Sequence, residues 1–450
     1  MRFFKSVTLT AAALCGPFLY GQSNNLTLEQ ATQVALQHNL SVVQAEAAIG
    51  SAHAAVMAAY GGYLPFISAS GSWNRYATDQ SSSTTTSLGG GTFVIPPSKN
   101  TINQFGTGIN ANWTLFDGLN RQGQVGQATS RSASTEESAV RTRQSIVYQT
   151  ESAYLNILRN GELVKVADEN LKRDSLQLER ITESARVGAS ARADVYRQQS
   201  TVAADEFLLI QAQATFDKSR ADLVDLVGLD VGADYTFNDP TISLDISTVQ
   251  LDSTAALYRN FVDLEKRSLA ARPDYKSAVE TFNAASSSVM SARSTYFPSV
   301  VASAGYSLGT ADALSDLANN KTLNWGLRVS WTLFDGFNTN ANVQSAVANR
   351  RMAEIGVGQA ERDIYDQLKK AMLDFDAGRK QYEVSQKGVT SATEDRKIAA
   401  EKYNLGAGTL LDLLTANAGL VQAQVNLVNS VYNYITAKKN LDYIIGERAY

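Results

Sequence analysis

Asp117 and Asp335 stand 218 positions apart, and so do Asp194 and Asp412 (335 − 117 = 412 − 194 = 218). A carboxylate can hold a cation, carry a proton, or accept the free N–H groups at a helix start. All four lie close to glycine. Asp117-Gly118 and Asp335-Gly336 close the hexapeptide WTLFDG, which the chain writes twice. Asp194 follows Gly188-Ala189, and Asp412 follows Gly406-Ala407-Gly408, with Tyr403 just ahead of that turn. Glycine supplies the positive φ that ends a helix or turns a chain sharply. The spacing therefore suits carboxylates at helix starts, where they meet orphan N–H groups and the positive dipole end. Other chemistry has no sequence support. His38 and His53 are the only histidines, without evident partners for a metal. No glycine-rich phosphate loop follows a strand, and no nucleophile, base and orienter form a set. No enzyme activity, metal or cofactor is expected.

Positioning these pairs requires a duplicated scaffold. "RVGASARADV" (Arg186 to Val195) aligns with "NLGAGTLLDL" (Asn404 to Leu413) at the same offset. Upstream the offset becomes 298 − 65 = 233, pairing "YLP" at Tyr63 with "YFP" at Tyr296, and "NLSVVQA" with "RPDYKSA". The difference is taken up by "TDQSSSTTTSLGGGTFVIPPSKN", which reads as a long exposed loop. The mature chain is one fold of two similar halves, residues 22–235 and 236–450.

Each half predicts the same elements. Thr27 opens a first helix with Gln30 as reciprocal partner, and this helix runs toward Tyr60, where Gly61, Gly62 and Pro65 stop it. In the second half helices span 252–295. Phe105, Thr107, Ile109, Ala111, Trp113 and Leu115 alternate with smaller or polar residues, and Leu323, Trp325, Leu327, Val329, Trp331 and Leu333 repeat that face. These predict β-hairpins over 64–116 and 299–334, with strands of about 10 residues, long enough to cross a bilayer when tilted. A soluble hairpin would alternate in the same way.

Proline is absent from Gly118 to Val187 and from Gly336 to Leu405, although the chain has seven. Long helices are predicted over 118–187 and 336–405, each about 100 Å if continuous. Ile157, Val164, Leu171, Leu178 and Ala185 recur every seventh residue, as do Leu368, Phe375, Tyr382 and Val389, before Arg396 breaks the series. That period argues coiled-coil packing. The complementary positions are largely small or polar. Return helices follow over 192–227 and 409–445. WTLFDG thus marks where a strand becomes a long helix. Gly161 and Gly378, near one another in the repeat frame, mark a close helix contact or a bend.

The formal charge of −4 and 44% hydrophobic content exclude a basic nucleic-acid binder. Arg2 and Lys5 precede an apolar run of secretory length, so residues 1–21 are read as a signal peptide. Removing them removes Cys15, the one cysteine, and excludes disulfide and thiolate-metal chemistry. No later apolar run reaches the length of a membrane-spanning helix; a β-barrel carries a weaker signal.

In these features the chain resembles the TolC-like outer-membrane efflux proteins over essentially its whole mature length. The resemblance rests on "LTLEQATQVALQHNLSVVQA", "ARPDYKSA", both "FDG" turns and "YNLGAGTLLDLLTANAGLVQAQ". It implies a mainly α fold with a transmembrane β-barrel. Each protomer of a homotrimer gives four strands to a twelve-stranded barrel and helices to a periplasmic coiled-coil tunnel. It implies an outer-membrane location, contact with outer-membrane lipid, and passive export. An inner-membrane transporter and a periplasmic adaptor would dock at the hairpin tips, Gly188, Ala189, Gly406, Ala407 and Gly408. Asp412, Asp194 and Tyr403 match residues of the family's periplasmic gate. Gly408 and Thr415 replace a gate arginine and a second ring aspartate of some members, and Ala185 stands opposite Tyr403 in the repeat. Asp194 and Asp412 are therefore either helix-start carboxylates alone or lumenal charges as well. Tyr403 is either packing or a hydrogen-bond donor between hairpins. Drug efflux and type I secretion are not separable here. The alternative is a structural coiled-coil protein, periplasmic or on the surface, without a pore.

Overall fold

The computed structural model describes residues 25–86, 89, 92–239, 246, 248–311 and 313–447; the expected signal peptide, 1–21, lies outside the described residues. Thr27 and Gln30 form the reciprocal start: the Thr27 N–H donates to Gln30 Oε1 at 3.0 Å, and the Gln30 N–H to Thr27 Oγ1 at 3.4 Å. The expected single helix toward Tyr60 is instead two, α1 (Leu28–His38) and α2 (Leu40–Gly61). By length and composition α2, 22 residues, is apolar enough to cross a membrane, where no such run after the signal is expected from the sequence. Asn39 breaks it. Its backbone is extended and its side chain accepts the Ser41 N–H at 2.9 Å, which recaps a new helix. Arg272, the counterpart of Asn39, is extended in the same way between α6 (Phe261–Ala271) and α7 (Pro273–Arg293). A further helix, α5 (Thr248–Leu257), precedes these.

The sheet strands are β2 (Phe66–Gln80), β5 (Ser98–Phe116), β7 (Ser299–Ala311) and β8 (Lys321–Ser330), antiparallel in the order β2-β5-β7-β8. Register decides the two faces. One row is Ile67, Ala111, Ala304 and Trp325; the next is Ser68, Asn110, Gly305 and Asn324. Apolar rows thus stack on one face and Ser, Asn and Gly on the other. The second hairpin ends earlier than expected, since β8 stops at Ser330. Trp113–Phe116 stays in strand because β7 pairs with it, whereas 331–334 follows the edge strand and has no such neighbour among the described residues.

The Ser/Thr/Gly segment is not simply an irregular loop. Thr78–Gln80 continues β2 against Ser98–Asn100, and β3 (Ser83–Thr86) pairs with β4 (Thr92–Ile95). Threonine, being β-branched, favours extended backbone.

The long helices are α3 (Asn120–Arg186) and α8 (Asn338–Asn404), with return helices α4 (Arg192–Val227) and α9 (Leu410–Ile445). Ile157, Leu368, Phe375 and Tyr382 of the seven-residue series are buried; Val164, Leu171, Leu178 and Ala185 are half-buried. Contacts divide the chain into two units, within Met1–His38, Gln149–Leu251 and Gly378–Thr436, and within Asn39–Tyr148, Asp252–Ala377 and Ala437–Tyr450. Each unit draws on both sequence halves. The first holds the helix-to-helix turns at Gly188 and Gly406 and a short parallel pair, β1 (Asn25–Leu26) with β6 (Thr236–Phe237). Its core includes Leu155, Val428 and Tyr432. Here both mid-helix glycines mark close contact. A Cβ on Gly161 would lie 3.3 Å from the Phe216 ring, and one on Gly378 would lie 3.2 Å from the Tyr434 Cα. Phe216 and Tyr434 are themselves 218 apart.

The second unit holds the sheet. Arg272, 2% exposed, pairs with Asp274 through two hydrogen bonds and also reaches the Ile444 carbonyl near the end of α9. Arg141 stacks 3.9 Å over the Tyr443 ring, which stacks in turn on Tyr148 at 4.9 Å.

Candidate functional site

At both strand-to-helix turns two successive residues are left-handed: Gly118 and Leu119, and Gly336 and Phe337. The helices therefore begin two residues later than the glycines. The aspartates meet the helix starts through the N–H four residues on. Asp117 Oδ2 accepts from Arg121 at 3.2 Å, and Asp335 Oδ2 from Thr339 at 2.7 Å. The Trp of each hexapeptide donates its indole N–H to the tyrosine carbonyl of the other repeated motif. Trp113 reaches Tyr63 at 2.9 Å, and Trp331 reaches Tyr296 at 3.1 Å. Two motifs with different sequence offsets are thus bonded to each other, once per half. The first turn is tied more tightly. Arg121, nearly buried, pairs with Asp117 at 3.0 Å and donates to the Thr114 and Leu115 carbonyls. Thr339, its counterpart, has only a hydroxyl, which bonds Asp335.

The hairpin turns are also duplicated. Gly188 and Gly406 have φ of 78° and 71°. The Gly188 N–H meets the Ala185 carbonyl and the Gly406 N–H the Tyr403 carbonyl; Ala189 and Ala407 reach Ser184 and Lys402. These bonds satisfy the last carbonyls of α3 and α8. Gly408 adds a second bond to Lys402.

The two aspartates beyond the turns differ. Asp412 forms a reciprocal box with Thr409: its Oδ2 accepts the Thr409 N–H at 3.0 Å and hydroxyl at 2.7 Å, and its own N–H returns to Thr409 Oγ1 at 3.2 Å. The Thr409 hydroxyl, then its N–H, hold this carboxyl below the usual range, and Lys402 adds to that. The first half has Ala191 in place of Thr409. Asp194 instead accepts from Arg197 at 3.1 Å. Tyr403 is half-buried. Burial, then the charge of Asp194, push its hydroxyl above the usual tyrosine range, so the structure brings these two residues near each other. No hydrogen bond joins them among the described residues; Asp194 is bonded to Arg197.

One polar cluster escaped the sequence reading. Asp174 on α3 and Asp205 on α4 are buried, with Asn170, Gln198 and Asn417 around them. The signal was faint. Asp174 occupies a complementary position of the seven-residue series, three after Leu171, where small or polar residues were already expected. At the offset of 218, Asp174 and Asp205 correspond to Ala392 and Ala423, so the second half gave no echo.

The sheet supplies the remaining surface. On its apolar face Leu323, Trp325, Leu327 and Val329 are exposed, Trp325 by 81%. On the other face Gly305 fits between Asn110 and Asn324, whose oxygens would sit 2.8 and 2.6 Å from a Cβ there. Among the described residues, the outer edges of β2 and β8 have no strand partner.

The chain is similar in sequence and in fold to known proteins. The sequence profile described as outer membrane efflux protein matches residues 31–229 and 264–447. The outer membrane efflux protein BepC of Brucella suis biovar 1 (strain 1330) is 22% identical over 434 residues, covering 96% of this chain and 88% of BepC. The outer membrane protein TolC of Salmonella enteritidis is 22% identical over 355 residues, covering 76% of this chain and 69% of TolC. In fold the chain is similar to the crystal structure of the Campylobacter jejuni CmeC outer membrane channel. The TM-score is 0.77 at 19% identity, covering 93% of this chain and 85% of that one.

Proposed function

From the membership of this chain in the outer membrane efflux protein family, we propose that it is the outer-membrane channel of an export system. It is a channel and not an enzyme, and its place is the outer membrane with the helices in the periplasm. One observation carries the reading: a four-stranded sheet with an exposed apolar face, a polar opposite face and two open edges. In lipid, unpaired strand edges are costly, so such a sheet needs closure. Three copies would close a twelve-stranded barrel, apolar outward and Ser, Asn and Gly inward, and their helices would pack as a coiled-coil tunnel. A pore-less coiled-coil rod would leave the Trp325 face in water without purpose.

Transport through such a duct is passive. An inner-membrane transporter would supply energy, and a periplasmic adaptor would dock at the tips formed by Gly188, Ala189, Gly406, Ala407 and Gly408. Around the three-fold axis, Asp412 would set cation passage, while Tyr403 and Asp194 of neighbouring hairpins latch the closed form. The substrates are small molecules or proteins handed over by the pump. The test is fractionation followed by planar-bilayer recording. The chain should enter the outer membrane and conduct ions after reconstitution. A non-conducting soluble periplasmic protein would overturn the proposal.

A further inference from the structure

Asp174 on α3 and Asp205 on α4 are 2% and 6% exposed and close enough for their side chains to interact across the first helical hairpin. Each has one oxygen held by an amide. Asn417 on α9 donates to Asp174 Oδ1 at 3.1 Å, and Asn170 donates to Asp205 Oδ1 at 2.8 Å. Asp205 Oδ2 is buried without a donor among the described residues. Gln198 of α4 donates to the Asp174 backbone carbonyl at 3.0 Å. The charged groups around the pair are Arg173 and Glu169 on α3 and Arg396 on α8. Arg173 donates to Asn170 at 3.0 Å, and Arg396 to Asn417 at 3.3 Å. Neither arginine is bonded directly to a carboxylate of the pair among the described residues.

Two buried carboxylates so placed repel when both are ionised. A proton on one of them converts the repulsion into a hydrogen bond and gives Asp205 Oδ2 the partner it lacks. We propose that Asp205 keeps a proton and donates it to Asp174, and that this proton is a pH-dependent bolt joining α3 to α4 and, through Asn417, to α9. The pair lies about 20 Å along the helices from the Gly188 turn, in the first hairpin alone, because alanines fill the equivalent positions of the second. Burial, then the hydrogen bond and charge of Asp174, push the Asp205 carboxyl up to about 7. The sign follows. A carboxyl whose folded pKa is raised binds its proton more tightly in the folded state, so stability falls as pH rises from the unfolded value toward the folded one. The bolt is therefore complete in acid, weakens as the pH approaches 7, and is lost above that. This inference concerns hairpin packing and does not depend on transport.

The experiment uses the full chain in detergent. Infrared titration should show the C=O band of a protonated carboxylic acid at pH 6 that disappears as the pH passes through about 7. Asp205→Asn should lack the band, since its amide donates to Asp174 permanently. Hydrogen exchange, corrected for intrinsic rates, should show residues 168–178 and 200–210 at least about tenfold more protected at pH 6 than at pH 8. That difference should vanish in Asp205→Asn and in the reciprocal Asp174→Asn. If one variant misfolds, the other serves, and the parent's own band and protection stand by themselves. A parent without the band at pH 6, or with equal protection at both pH values, would overturn the proposal.

Discussion

The carboxyl of Asp412 does two jobs at once in the proposed channel, and its hydrogen bonds separate them. Thr409 uses one oxygen, Oδ2, for the helix start. In the proposed trimer, Asp412→Ala should weaken block by divalent cations in bilayer recordings, because the charge proposed near the axis is gone. Thr409→Val keeps that charge and removes the hydroxyl that holds the carboxyl low. The carboxyl is depressed in the folded chain, so its ionised form and its contribution to stability persist above the unfolded pKa and disappear as pH falls through the folded one. In Thr409→Val, acid relief of the divalent block should therefore set in at higher pH than in the parent. An unchanged onset means that Thr409 does not tune Asp412. Tyr403 is a separate matter. Tyr403→Phe should raise resting conductance while divalent block is retained. Equal resting conductance would reduce Tyr403 to a packing residue.

Elements that look equivalent in the repeat should respond unequally to substitution. A Cβ on Gly118 would lie 2.3 Å from the Ser294 carbonyl oxygen, whereas Gly336 has nothing within 4 Å. Both carry positive φ, so alanine costs each about 1–2 kcal/mol. Gly118→Ala should cost clearly more, and the order is read from thermal melting followed by circular dichroism. A parallel contrast exists in the long helices. At Gly161 the obstacle is the edge of the Phe216 ring, which can shift; at Gly378 it is the backbone of Tyr434, which cannot. Alanine gains about 1 kcal/mol of helix propensity over glycine. Gly161→Ala should then be neutral or stabilising and Gly378→Ala destabilising. The same melting experiment checks this, and the reverse order contradicts the contact.

For the whole molecule, the edges of β2 and β8, open among the described residues, imply that a single chain is incomplete in lipid. The detergent-extracted protein should have the mass of three chains by light scattering. A folded, monodisperse monomer would sink the barrel. Topology makes a second demand. The turns of the sheet hairpins lie opposite the strand-to-helix ends, so with the helices in the periplasm they face outside the cell. A tag between β3 and β4 should bind antibody on intact cells, and labelling only after permeabilisation contradicts that orientation.

Much of this scaffold is legible in the sequence because its signals are local and written twice. The capping pair Thr27 and Gln30, the alternation from Phe105 to Leu115, the proline-free stretches and the glycine turns each depend on neighbours within a few residues. Duplication then supplies a check that a single copy lacks. The break at Asn39 was also local, yet an asparagine inside a helical pattern reads equally as a tolerated polar residue. The end of β8 at Ser330 was not local, since a strand persists only where another strand pairs with it, and WTLF is identical in both copies. The bond from each tryptophan to the tyrosine of the other motif joins residues whose offsets differ. No periodicity links them. The Asp174–Asp205 pair was hidden for a related reason. Burial of a carboxylate depends on what three other helices bring to it, and the repeat holds only alanine where its echo should be. The sequence by itself determined most of the helices and strands and the alternation of the sheet faces, because these follow from side-chain type and period. Only the tertiary structure decided which strand ends are paired, which glycines are crowded and which carboxylates are dry, because each of those depends on atoms far away in the chain.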